Sequence, residues 1–280
     1  MNIVLVHGIL GFSHLDTPLA PVDYFAGLAE HWRTRFPNAA VLAPALDPTA
    51  GISVRSEQLR QAISVALQHG QLRPAEPIHI IAHSMGGLDS RQMIAHGPAL
   101  QSGAATTRVA TLATISTPHA GSPVADLVAL RFLAHIPGVA SVVRGAEIGL
   151  ENILQHFRIS LDGLHDLTSE AAGHFNAKCP DQQGVRYLSF AGKGRPSQLV
   201  PTSAFFLPYY RYIQATLRGQ EDSDGLVAIS SARHGEFDGD LWPCDHAGEI
   251  GHNLDLPLHE PDADTLQRFD SIVLRFRDEG

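Results

Sequence analysis

The residue types needed to form and release a covalent intermediate occur in a usable order along this chain: a serine at 84, an aspartate at 224 and a histidine at 246. Ser84 stands in "IHIIAHSMGG" (78–87), where an apolar run meets two glycines and then a helical period. That pattern reads as a strand entering a helix through a tight turn, which pushes the serine hydroxyl out over the sheet edge. Such a turn is strained, so the residues two before and two after the serine must be small. Ala82 and Gly86 occupy those positions. The plainer reading of Ser84 is a helix N-cap ahead of "GGLDSRQM".

A serine hydroxyl is a poor nucleophile until a histidine takes its proton, and the histidine needs a carboxylate to fix its tautomer. "EDSDGLVAIS" supplies Asp224 directly before an expected strand, and "WPCDHAGEIGH" supplies His246 twenty-two residues later. Asp222 and His252 are the nearest rivals, and His234 lies in a charged loop of its own. The oxyanion of a tetrahedral intermediate needs two backbone N–H donors. Met85, next after Ser84, would offer one, and Ile9, after the His7-Gly8 turn in "VLVHGILGF", the other. Gly8 and Gly11 let that loop bend close to a substrate. An ordinary strand-end turn is the alternative for His7-Gly8.

The elements that would position these residues alternate in type. "IVLV" (3–6), "AVLAP", "IHIIA", "RVATLATIS" (108–116), "VRYLSFAG" (185–192) and "GLVAIS" (225–230) suit buried strands. Helical periods occupy 22–36, 54–68, 86–96 and 262–277. The fold class expected is α/β, a mostly parallel sheet covered on both faces, with chemistry at the C-terminal strand ends. Between 122 and 175 the strand pattern gives way to Leu-, Val- and Ile-rich helical segments. These are expected to form an inserted cap, either a fixed wall or an amphipathic lid, leaving 1–121 and 176–280 as the core. The cluster "LVPTSAFFLPYYRY" (199–212) is expected to pack, with a pocket rim as the alternative.

Composition excludes several partners. The formal net charge is −9, with no Lys or Arg run long enough to track a phosphate backbone, so nucleic acid is not expected. No apolar run reaches membrane-spanning length, and "MNIVLVHG" enters a strand pattern with no basic segment or cleavage site, so a soluble chain without a signal peptide is expected. The sixteen histidines are scattered without H-E-x-x-H spacing, and neither a metal site nor a cofactor is expected. Cys179 and Cys244 leave a disulfide open.

The set "VLVHGILGF", "IIAHSMGG", "ISTPHAGSP", "LTSEAAGHFN", "SDGLV" and "DHAGEIG" resembles the bacterial triacylglycerol lipases of the Pseudomonas, Proteus and Bacillus type, within the α/β-hydrolase superfamily. The resemblance covers most of the chain and is weakest over the cap. It implies an α/β-hydrolase fold with Ser84 as nucleophile, Asp224 as acid, His246 as base and Ile9 and Met85 as oxyanion donors. It also implies a lipid or other apolar ester as substrate, transient contact with a lipid interface and plausible secretion. Ala82 departs from the usual first glycine, as in small Bacillus lipases. Many of these lipases hold a structural calcium through positions that here are Gly248 and Val200, neither with a side-chain oxygen, so that site is expected to be absent unless Glu249 or Asp255 rebuilds it. A short-chain or polyester esterase, an acyltransferase and a non-catalytic binding protein of the same fold are the alternatives. A dehalogenase or epoxide hydrolase would need an aspartate where Ser84 stands.

Overall fold

The computed structural model describes residues 1–9, 15–16, 21–97, 99–102, 105–133, 161–195, 203–219, 221–252 and 263–276. Strand β1 (Asn2–Val6) is buried at every position because its side chains alternate between two cores. Ile3 and Leu5 join Trp32, Phe36, Ile81, Phe190 and Phe269 on one face, while Val4 and Val6 join Leu59, Ile63, Ile80 and Leu112 on the other. An all-apolar strand is stable only with both faces covered, and parallel pairing with crossover helices supplies that cover.

Strands β2 (Leu15–Asp16) and β3 (Pro21–Val22) form a small antiparallel pair. The main sheet runs β4 (Ala40–Leu42), β1, β5 (Ile78–His83), β7 (Ala105–Ile115), β8 (Arg186–Phe190) and β9 (Glu236–Phe237), each neighbour parallel. β6 (Ala99–Ser102) adds an antiparallel hairpin partner to β7. The expected parallel sheet is therefore present. Helices α1 (Leu28–Arg35), α2 (Ile52–Gln68), α3 (Gly86–Ala95) and α9 (Ala263–Arg275) flank it. No described helix is long and apolar enough to cross a membrane.

Two expected elements differ. The helix expected over 22–36 is shortened to Leu28–Arg35, since Ala26 and Gly27 take φ of 47° and 79° in a turn closed by the Asp23 carboxylate on the N–H groups of Phe25 and Gly27. "GLVAIS" is not a strand. Asp224 Oδ1 accepts the N–H groups of Leu226 and Val227, which curls the segment into a turn, and Ile229–Ala232 continues as the short helix α8. Val227, Ala228 and Ile229 are apolar because they are buried under that turn, and the sheet edge goes to β9 instead.

The cap expected over 122–175 is described at its ends, by α4 (Pro123–Leu133) on one side and α5 (Leu161–His165) and α6 (Ser169–Lys178) on the other. Residues 134–160 lie outside the described residues. The aromatic cluster enters α7 (Leu207–Thr216), where Tyr209 and Ile213 pack on Val124 and Val128 of α4. Both cysteines are free thiols.

Candidate active site

Ser84 sits between the end of β5 and the start of α3 with φ 56° and is 6% exposed. A non-glycine residue in the left-handed region is strained, and the surrounding bonds hold it there. Its N–H donates to the Ile115 carbonyl (2.9 Å), and its own carbonyl accepts the Thr117 hydroxyl (2.7 Å). A Cβ on Gly86 would lie 2.5 Å from the Val6 carbonyl oxygen and 2.8 Å from that of His7, so position 86 admits only glycine without backbone movement. A Cβ on Gly8 would lie 2.7 Å from the Ser84 Cβ. The loop after β1 therefore rests directly against the serine.

Asp224 and His246 meet although twenty-two residues separate them. His246 Nδ1 lies 2.7 Å from Asp224 Oδ2, and Asp224 is fully buried with its other oxygen held by two main-chain N–H groups. A second tie runs from the His246 N–H to the Asp224 carbonyl (3.0 Å). Beside a carboxylate, Nδ1 carries the proton, which leaves Nε2 as the basic nitrogen. The rivals are engaged elsewhere. Asp222 pairs with Lys193 at 2.5 Å, His252 Nε2 lies 3.0 Å from the carbonyl oxygens of Asp23 and Tyr24, and His234 pairs with Asp181 and stacks on His119.

Met85 is fully buried at the N-terminus of α3, and Ile9 is half-buried with its side chain packed among Ile52, Met85 and Leu88. Neither main-chain N–H makes a hydrogen bond to a described residue. Among the described residues these two N–H groups thus have no partner, and the N-terminal end of α3 favours negative charge beside Met85.

Sequence reading missed a buried polar cluster under the serine. The Tyr24 hydroxyl lies 2.7 Å from His83 Nδ1, His83 Nε2 lies 3.0 Å from Glu249 Oε2, and the Ser116 hydroxyl donates to Glu249 Oε1 at 2.5 Å. Glu249 Oε2 also lies 3.8 Å from His246 Nδ1. Burial, and then the Asp224 carboxylate, pushes Glu249 well above the usual carboxylate range, while burial followed by the neighbouring His246 holds His83 well below that of histidine. His83, His246 and Glu249 are close enough to share a metal ion, but the facing atoms already have protein partners, so they read as a hydrogen-bonded cluster. His83, adjacent to the serine, and Glu249, three residues after His246, carried a positional hint in the sequence, and Tyr24 and Ser116 carried none.

The calcium implied by the resemblance does not fit the described donors. Gly248 offers no side-chain oxygen, and a Cβ there would lie 2.9 Å from the Cys244 Cβ. Val200 and Asp255 lie outside the described residues. Nearby, Asp245 is held by protein donors. Its Oδ2 accepts the Ser203 N–H (2.6 Å) and hydroxyl (2.8 Å), and its Oδ1 accepts the Gly248 N–H (2.8 Å).

A family model described as a PGAP1-like alpha/beta domain matches residues 50–182. Among curated proteins, the chain is 30% identical to a triacylglycerol lipase of Vibrio cholerae, covering 95% of this chain and 85% of that protein. It is 26% identical to a triacylglycerol lipase of Pseudomonas fragi, covering 89% and 87%. Of solved structures, the Staphylococcus hyicus lipase superposes with a TM-score of 0.63 at 19% identity over 98% of this chain and 94% of that one. Lipase 1 from Pelosinus fermentans superposes with a TM-score of 0.64 at 16% identity over 98% of each. Those two likenesses fix the sheet order and its flanking helices as the α/β-hydrolase fold, and the sequence identity, sustained over nearly the whole length, places the chain in the bacterial triacylglycerol lipase family.

Proposed function

We propose that the chain is a serine carboxylester hydrolase that cleaves lipid or other apolar acyl esters through an acyl-enzyme intermediate. Ser84 attacks the ester carbonyl, His246 Nε2 takes its proton and returns it to the leaving alcohol, and Asp224 holds the imidazole in the required tautomer. The N–H groups of Ile9 and Met85 receive the oxyanion. Water then attacks the acyl-enzyme carbonyl, His246 Nε2 takes its proton and passes it to the Ser84 oxygen as the ester bond to serine breaks, and the acid is released. The observation that carries this reading is the 2.7 Å Asp224–His246 contact in a chain whose Ser84 is held strained at the strand-to-helix turn.

The Ile9 side chain is set against an apolar core. Ile52, Met85, Leu88, Leu164 and Leu167 pack together there, and a Cβ on Gly163 of α5 would lie 3.2 Å from Ile9 Cδ1. Helix α5 therefore packs against the Ile9 side chain. Initial rates on p-nitrophenyl esters from C2 to C16 test the function. Ser84→Ala or His246→Ala is expected to lower kcat by roughly 10⁴- to 10⁶-fold. Near-normal turnover by Ser84→Ala would end the proposal, and a folded wild type that hydrolyses none of the series would favour a binding protein. Preference for C2–C4 would favour a short-chain esterase. A rate jump above the substrate's solubility limit supports a mobile lid over 122–175 and contact with a lipid surface, and a smooth curve supports a fixed wall.

A further inference from the structure

We propose that His7 and Tyr24 are positioning residues that aim the Ile9 N–H at the oxyanion, an inference that rests on the hydrolase reading above. The two peptide units of the loop after β1 are held unequally. The His7–Gly8 peptide is clamped on both sides: its carbonyl accepts from Arg55 Nη2 (2.7 Å), and its N–H, that of Gly8, donates to the Tyr24 hydroxyl oxygen (3.0 Å). Among the described residues, the next peptide, Gly8–Ile9, is clamped on one side only. Its carbonyl lies 2.9 Å from His7 Nδ1, and its N–H has no described partner.

The protons of this clamp can be assigned. The Leu46 N–H donates to His7 Nε2 at 2.9 Å, so that nitrogen is the acceptor and Nδ1 bears the hydrogen that the Gly8 carbonyl accepts. In a trans peptide the C=O and the following N–H point in opposite directions. Fixing the Gly8 oxygen on one side therefore fixes the direction of the Ile9 N–H on the other. Tyr24 uses its oxygen as acceptor for Gly8, so its own proton goes to His83 Nδ1, and His83 Nε2–H faces Glu249. Arg55 is anchored in turn by Asp89 (2.8 Å) and the Asp47 carbonyl (2.7 Å). His7, Gly8, His83, Arg55, Asp89 and Glu249 are buried and Tyr24 is half-buried, so the clamp is largely shielded from bulk water.

The test uses Tyr24→Phe, which keeps the ring against Phe25 and His83, and His7→Gln, which loses the rigid link between the Leu46 N–H and the Gly8 carbonyl. The readouts are kcat and KM on p-nitrophenyl butyrate, inhibition by phenylboronic acid, whose tetrahedral serine adduct places an oxygen where the oxyanion forms, and the melting temperature. Each variant is expected to lose kcat by roughly 10- to 100-fold. KM stays within about twofold, and boronate affinity falls in parallel with kcat. Variants that melt lower but keep kcat and boronate affinity per folded molecule would overturn the inference, as would variants indistinguishable from the wild type. If Tyr24→Phe does not fold, His7→Gln carries the same test alone. A folded wild type without hydrolysis or boronate binding would instead overturn the hydrolase reading.

Discussion

At the scale of single residues, the crowded serine turn converts small side chains into requirements. Ala82 is fully buried in β5, paired with Val6 on one side and Thr114 on the other, and the next residue but one is the strained Ser84. Ala82→Gly removes one methyl and is expected to keep activity. Ala82→Val adds two methyls where the sheet is packed on both faces, which costs about 1–3 kcal/mol and displaces the turn. Its esterase rate per folded molecule is therefore expected to fall, and a fully active valine variant would show that position 82 need not be small. Gly8 is a stricter case. Its Cβ would meet both the Ser84 Cβ at 2.7 Å and the Tyr24 hydroxyl at 2.9 Å, so Gly8→Ala is expected to cost on the order of 100-fold in kcat, measured on the same ester.

At the scale of elements, legibility followed the physics of periodicity. β1 was readable because a strand buried on both faces is a short apolar run, and α2 and α9 because a helix buried on one face has a 3.6-residue period. "GLVAIS" misled because burial under a turn produces the same apolar run as burial in a sheet, and only the Asp224 carboxylate distinguishes them. Tyr24, His83 and Glu249 could not be linked in sequence, since 59 and 166 residues separate the bonded pairs. The Asp245 tie to Ser203 belongs to this scale too, because it joins the loop carrying His246 to the segment entering α7. EGTA or added Ca²⁺ is expected to leave activity and melting temperature unchanged. Asp245→Asn replaces two acceptor oxygens with one, strands at least one buried donor and is expected to cost about 1–3 kcal/mol, read from the urea midpoint. Activity abolished by EGTA and restored by Ca²⁺ would refute the expectation that no calcium is needed.

At the scale of the whole molecule, buried titratable groups pull stability in opposite directions as pH changes. Burial, with help from Arg55, holds His7 down at about 4 from an ordinary 6.5, and burial also lowers His83 and His119. Burial raises Asp89 to about 7 against the pull of Arg55, and raises Glu249 and Asp245 as well. A histidine with a lowered folded value is neutral in the native state while the unfolded chain already binds a proton, so its contribution is present above pH 6.5 and is lost as pH falls toward 4. A carboxyl with a raised folded value acts in the reverse sense, favouring the native state as pH falls. The wild-type curve is the sum of both sets, so one group is visible only as a difference. His7→Gln removes one titrating site and leaves the others in place. It is expected to be less stable than the wild type at pH 7.5, since the Gly8 carbonyl and the Leu46 N–H lose their shared partner. Between pH 6.5 and 4 that deficit should shrink by up to about 3 kcal/mol, because only the wild type must keep a histidine unprotonated there. Urea midpoints for both proteins at half-unit steps measure the gap. A deficit that stays constant or widens as pH falls would mean that His7 is protonated in the native state, which would also take away the Nε2 acceptor that sets its tautomer.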